Sequence, residues 1–254
     1  MNKIDKIVSS LSFDEKIKLI MGDGYWKFNT FDSSLKQVTC TDGPYGVRIT
    51  SFKKDDLTKQ TIQEDVPVTT YPAGCCLSCS FDPNIAYLEG KMLANESRYY
   101  GIDVLLGPAV NIKRNPLCGR NFEYLSEDPL LSGIIGGNWI KGIEDNKVGS
   151  SLKHFALNNQ EYGRLLASSN VSLKAMHDIY LKPFEIAIKI KSPATIMCSY
   201  NKVNGIYSSE NKYLLSEVLR SEFNYDGIVI SDWGAVSDRF AGIKAGLDIE
   251  MPER

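Results

Sequence analysis

Gly227-Ile228-Val229-Ile230-Ser231 is a short apolar, β-branched run that halts at Asp232-Trp233-Gly234. A run of this kind, without polar alternation, predicts a strand buried on both faces, as in parallel sheets covered by helices. A carboxylate directly after such a strand costs on the order of several kcal/mol unless it is paired or used. Parallel α/β proteins bind their ligands at the C-terminal ends of the strands. Asp232 is therefore the first candidate functional residue, against the plainer alternative that it caps the next helix.

The same punctuation recurs along the chain. Ser12-Phe13-Asp14-Glu15 is a capping box that predicts a short helix stopped at Gly22. Gln37 to Thr41 reads as a strand running into Asp42-Gly43-Pro44, and residues 50 to 66 as a polar surface excursion. Asp82-Pro83 and Asp128-Pro129 pair a cap with proline at the first helical position, predicting helices to about Tyr100 and Ile143. Strands are expected over Asp103 to Leu106, Gly149 to Leu152 and Ala194 to Cys198. Helices are expected over Ser172 to Ile190, kinked at Pro183, and over Tyr213 to Glu222. After Asp232 come a helix over about 236 to 245 and a strand over Leu247 to Met251.

Strand and helix alternate with no dinucleotide glycine fingerprint and no phosphate loop, which predicts an α/β fold on a parallel sheet. The sheet could be open and doubly wound, but 254 residues suit a closed (β/α)8 barrel better. Only six or seven strands are legible, and the chain stops at Arg254 just after one. A TIM-like barrel truncated before its last unit is the expectation.

Bulk properties exclude several classes. A formal charge of −2 offers no electrostatic footprint for nucleic acid or an anionic membrane. No apolar run approaches the roughly 20 residues of a membrane span, and the N-terminus lacks an apolar signal core, so a cytoplasmic protein is expected. Cys40, Cys75, Cys76, Cys79, Cys118 and Cys198 then read as reduced thiols rather than a disulfide framework. Two histidines, His154 and His177, are too few for a metal-dependent hydrolase, and no metal or cofactor is expected.

Asp42, Lys153-His154, Tyr200 and Asp232 each fall at the C-terminal end of a different expected strand. Between them lies Asn111 to Tyr124, a long loop dense in cations and amides. Carboxylates and cations clamp hydroxyls through charge-assisted hydrogen bonds, and an indole stacks on a sugar face. The matching chemistry is glycoside cleavage, which takes one carboxylate as nucleophile and a second carboxyl as acid/base.

The motifs TDGP (41–44), GPAVNIKRNPLCGRNFEYLSEDP (107–129), KHFALNNQE (153–161), MCSYN (197–201) and SDWGA (231–235) resemble glycoside hydrolase family 3, in particular its β-glucosidase branch. The resemblance runs from about residue 11 to Pro252. It implies that residues 1–254 are the N-terminal barrel domain of a retaining exo-hydrolase of β-glucosides or oligosaccharides, with an α/β sandwich domain absent. Asp232 would be the nucleophile. Asp42, Arg120, Lys153, His154 and Arg164 would clamp the terminal sugar, Tyr200 would sit beside Asp232, and Trp233 would border the leaving-group side. Lys153 is expected to keep Asp232 ionised. Glu123 and Glu161 are expected to brace loops, and His177 to be structural. In this branch the acid/base glutamate comes from the second domain, so weak activity of residues 1–254 alone is expected. The competing readings are an inactive sugar-binding domain and a β-xylosidase-like specificity. Apolar surface left uncovered predicts some self-association.

Overall fold

The computed structural model describes the backbone of residues 2–54 and 61–252, and side chains over 2–49 and 66–252. Its centre is a parallel ladder of five strands. In chain order the ring of which it is part contains β1 (Gly22–Asp23), β2 (Lys27–Phe28), β3 (Cys40–Asp42), β4 (Val104–Leu106), β5 (Gly149–Phe155), β6 (Thr195–Cys198) and β7 (Ile228–Ile230). The ladder runs β7-β6-β5-β4-β3, all parallel. In register, Asp42 lies beside Leu106, Leu105 beside Ser150, Leu152 beside Ile196, and Ile230 beside Met197.

The place where a last unit looked to be missing is filled from the N-terminal side. Beyond β7, Ile249 bridges Ile230 in parallel, and Glu250 bridges Met21 in parallel. The Gly22 N–H donates to the Glu250 carbonyl at 2.9 Å. β1 then turns back on β2 as an antiparallel pair, and Lys27 bridges Thr39 beside β3, with the Cys40 N–H on the Trp26 carbonyl at 2.8 Å. Eight strand segments thus close a ring in which β2 alone runs in reverse. The fold is the expected α/β barrel, closed by a hairpin rather than left open by one unit.

Side-chain alternation sorts the strands into an inner and an outer face. Val104, Leu106, Met197 and Ile230 turn inward with Phe28, Cys40, Ile249 and Met251 to fill the barrel. Leu105, Leu152, Ile196 and Val229 turn outward into the larger core beneath the helices. Two positions beyond Cys40 and Ile230, the inward face continues as Asp42 and Asp232.

The helices start where their caps lie. Asp82 and Asp128 accept from the backbones of Asn84 and Leu130, opening helices Pro83–Tyr99 and Pro129–Asp145. These two helices touch backbone to backbone: a Cβ on Gly90 would stand 2.3 Å from the Trp139 carbonyl oxygen. The expected helix from Ser172 is broken in two, with a wide five-residue turn over Met176–Tyr180 before Lys182–Ile190, whose second position is Pro183. Within 50 to 66, Thr50–Lys54 pairs antiparallel with Thr61–Asp65; residues 55–60 lie outside the described residues, as does Arg254. No helix among the described residues is long and apolar enough to cross a membrane. All six cysteines are unpaired, and burial pushes the Cys40 thiol up to about 12.

Candidate active site

The inward-facing strand ends meet in a cavity of about 630 Å³. Asp42, Arg120, Lys153, His154, Arg164, Tyr200, Asp232 and Trp233, all eight candidates named from the sequence, line it. Asp42 is the last residue of β3, and Lys153 and His154 lie within β5, which runs three residues further than the expected strand. Tyr200 and Asp232 each follow their strand by two positions.

Asp42 is held by Lys153, whose Nζ donates to Oδ1 at 2.8 Å. Partial burial works against the Asp42 charge, but Lys153, the Gly43 N–H and Arg120 outweigh it and keep the carboxyl below its ordinary range. Gly43 is required here: with φ +116° it starts a turn so tight that a Cβ would overlap the Gly46 carbonyl.

Asp232 is 7% exposed. Its Oδ1 accepts from the Trp233 N–H at 2.7 Å, while Oδ2 has no hydrogen-bond partner among the described residues. Burial raises its pKa, and Arg120, Lys153 and the Trp233 N–H oppose that rise without cancelling it. Lys153 is the cation expected to keep this carboxylate ionised. The cation acts in the expected sense, but desolvation of a carboxylate enclosed by the barrel is larger. The Tyr200 hydroxyl also lies near Asp232, although it donates to the Trp233 carbonyl at 2.9 Å.

The cations are themselves fixed. Arg120 forms an ion pair with Glu123, and Arg164 donates to Glu161 at 2.7 Å while its guanidinium lies 4.3 Å over the Tyr200 ring. Glu123 and Glu161 thus brace loop arginines. His154 faces Asp232, with Nε2 3.8 Å from Oδ2. Burial, then Arg120, Lys153 and Arg164, hold its imidazole well below its ordinary pKa, so it is neutral. His177 is remote, bonded to Tyr213 at 2.8 Å.

The cavity also contains residues that the sequence did not single out: Tyr25, Trp26, Arg48, Leu106 and Met197. Leu106 and Met197 are inner-face residues of β4 and β6. Tyr25 and Trp26 belong to the closing hairpin. Trp26 and Trp233 ring centroids are 5.4 Å apart, and Trp233 Nε1 donates to the Tyr25 carbonyl at 2.9 Å.

A closed α/β barrel with two carboxylates, fixed cations and indoles gathered at its strand ends belongs to the general class of α/β barrels that carry their functional groups at that face. Comparison narrows this. The sequence profile of the glycosyl hydrolase family 3 N-terminal domain matches residues 50–253. The chain is 44% identical over 250 residues to thermostable beta-glucosidase B of Acetivibrio thermocellus, covering 98% of this chain and 33% of that protein. It is 44% identical over 249 residues to an exo-alpha-(1->6)-L-arabinopyranosidase of Bifidobacterium longum, covering 96% and 32%. Beta-glucosidase 3B from Thermotoga neapolitana, solved with glycerol and with alpha-D-glucose, superposes with a TM-score of 0.91. Its identity is 39% in the first complex and 38% in the second, over 99% of this chain and 37% or 36% of that chain. The chain belongs to glycosyl hydrolase family 3. It spans about a third of the length of the curated relatives it matches.

Proposed function

We propose that this chain carries the sugar pocket and the nucleophile of a retaining β-glucosidase. The observation that carries the reading is Asp232, a buried carboxylate in the lining of a cavity that also contains Arg120, Lys153 and Arg164, whose Oδ2 has no hydrogen-bond partner among the described residues. A retaining enzyme needs such an oxygen, free to attack the anomeric carbon and form the glycosyl-enzyme, with fixed charges already in place. Asp42, bound to Lys153, is suited to hold sugar hydroxyls by accepting from them, and Arg120, Lys153, His154 and Arg164 complete the clamp. Trp233 flanks the leaving-group side. The acid/base carboxyl is supplied from outside residues 1–254 in this reading. Losing a general acid lowers rate by about 10² to 10⁴, so this chain alone turns ordinary glucosides over slowly.

The test is intact mass and peptide mapping after incubation with a 2-deoxy-2-fluoro β-glucoside of dinitrophenol, a leaving group that needs no general acid. An adduct on the Asp232 peptide supports the reading. An adduct on another carboxylate overturns the assignment. Folded protein that gives no adduct, while binding glucose, favours the sugar-binding alternative.

The choice of sugar is a second question, because an arabinopyranosidase matches this chain as well as a glucosidase does. α-L-Arabinopyranose lacks the exocyclic hydroxymethyl group of glucose, as xylose does. Initial rates on dinitrophenyl glycosides of glucose, xylose and L-arabinopyranose separate the three, with glucose expected fastest.

A further inference from the structure

Asn111 is 2% exposed, and its side-chain amide lies along the backbone of His154, itself 1% exposed. The His154 N–H donates to Asn111 Oδ1 at 2.8 Å, and Asn111 Nδ2 donates to the His154 carbonyl at 2.9 Å. A backbone N–H can only donate and a carbonyl can only accept, so these two bonds dictate which end of the amide is oxygen. That oxygen lies 3.4 Å from His154 Nδ1. With its orientation already set, Oδ1 can only accept from the ring.

We propose that Asn111 is a positioning residue that locks His154 in the Nδ1–H tautomer, so that the bare Nε2 lone pair faces the sugar pocket. The alternative tautomer would set two lone pairs against each other at Nδ1 and Oδ1. The groups on the pocket side agree. Arg120, Lys153 and Arg164, the cations that hold the ring neutral, are donors without an acceptor. Tyr124 meets the ring only edge to face, at 6.2 Å. One group pulls the other way, Asp232 Oδ2, but at 3.8 Å from Nε2 it lies beyond hydrogen-bond reach and does not capture a proton there.

The consequence rests on the sugar-pocket reading. In a pocket edged by donor cations, His154 becomes an acceptor for a sugar hydroxyl beside the nucleophile. A hydroxyl that gives its proton to Nε2 turns its own lone pairs toward Arg120 or Lys153, so one neutral imidazole lets a single hydroxyl bridge ring and cation.

Long-range proton–nitrogen correlation on the chain labelled with nitrogen-15 histidine tests this, because the tautomers give different patterns and only two histidines are present. A His177→Gln variant assigns the signals. His154 is expected as a single Nδ1–H tautomer, unchanged between about pH 5 and 8, the range in which a free histidine titrates. Asn111→Leu, which removes the acceptor at Oδ1, should give mixed tautomers. An Nε2–H or averaged pattern in the unsubstituted chain overturns the proposal, as does an unchanged pattern in Asn111→Leu. Glucose should then shift the Nε2 resonance. Glucose that binds without moving it removes the acceptor role, whereas no glucose binding at all counts against the sugar-pocket reading and leaves the tautomer as measured.

Discussion

Lys153 Nζ reaches Asp42 Oδ1 at 2.8 Å across 111 positions of sequence, joining the ends of two strands separated in the sheet by β4. The ammonium is 3% exposed and the carboxylate 38%, so the pair is half in water. Breaking a fully buried pair costs about 3–5 kcal/mol, and the exposed carboxylate lowers that figure.

Lys153→Met is therefore expected to lose about 1.5–3 kcal/mol, the worth of a hydrogen bond to a charged group. Urea denaturation at neutral pH measures it. The sign with pH follows from Asp42, whose folded carboxyl is held below its ordinary value against the pull of burial, chiefly by Lys153. A depressed carboxyl contributes stability above its unfolded pKa and loses it as pH falls through the folded value. The gap between the unsubstituted chain and Lys153→Met should accordingly narrow in acid. A gap independent of pH would mean that the methylene stem of Lys153, not its charge, is what matters.

Glu89 shows the opposite sign. It is 7% exposed on the helix Pro83–Tyr99, facing a small space shared with Pro44, Pro108 and Trp139. Burial pushes its carboxyl up to about 7 from 4.5, against a bond from Trp139. Between those values the unfolded chain has released the proton that the folded chain keeps, so stability falls as pH rises from 4.5 to about 7 and then levels. At about 1.4 kcal/mol per pH unit, the interval amounts to about 3 kcal/mol. Glu89→Gln should remove that slope and be the more stable form at pH 8. Thermal melts across the range decide, and a slope surviving in Glu89→Gln refutes the assignment.

Gly142 lies where the helices Pro83–Tyr99 and Pro129–Asp145 cross, and a Cβ there would stand 2.2 Å from the Tyr87 carbonyl oxygen. Backbone cannot step aside as a flexible side chain can. Gly142→Ala should gain the usual helix preference for alanine, about 1 kcal/mol. It should lose more to overpacking, about 1–3 kcal/mol, giving a lower midpoint in urea. A higher midpoint would show that the two helices can slide apart without cost.

The sequence made the polar strand ends legible because a buried strand cannot end in a charge without reason. The residues two positions past Cys40 and Ile230 fall into the cavity by alternation alone. The closing hairpin was illegible for the converse reason. β1 and β2 are two residues each, too short for any periodicity, and β1 is anchored more than two hundred positions away, where Met21 and Gly22 meet Glu250. Tyr25 and Trp26 were missed with it. The balance at Asp232 was also out of reach, since a charge list shows Lys153 but not the desolvation that outweighs it.

The hairpin carries the last prediction. Trp26 stands between Tyr25, at 4.8 Å, and Trp233, at 5.4 Å, where the barrel closes and the cavity opens. An aromatic contact adds about 0.5–1.5 kcal/mol beyond the area it buries. If these rings face the leaving group, Trp26→Ala should weaken binding of a phenyl β-glucoside several-fold more than that of methyl β-glucoside, read by calorimetry. The two ligands share one sugar, so equal losses would place Trp26 against the sugar or in support of the ring closure. An effect confined to the phenyl glucoside would assign the closing hairpin to recognition of the leaving group.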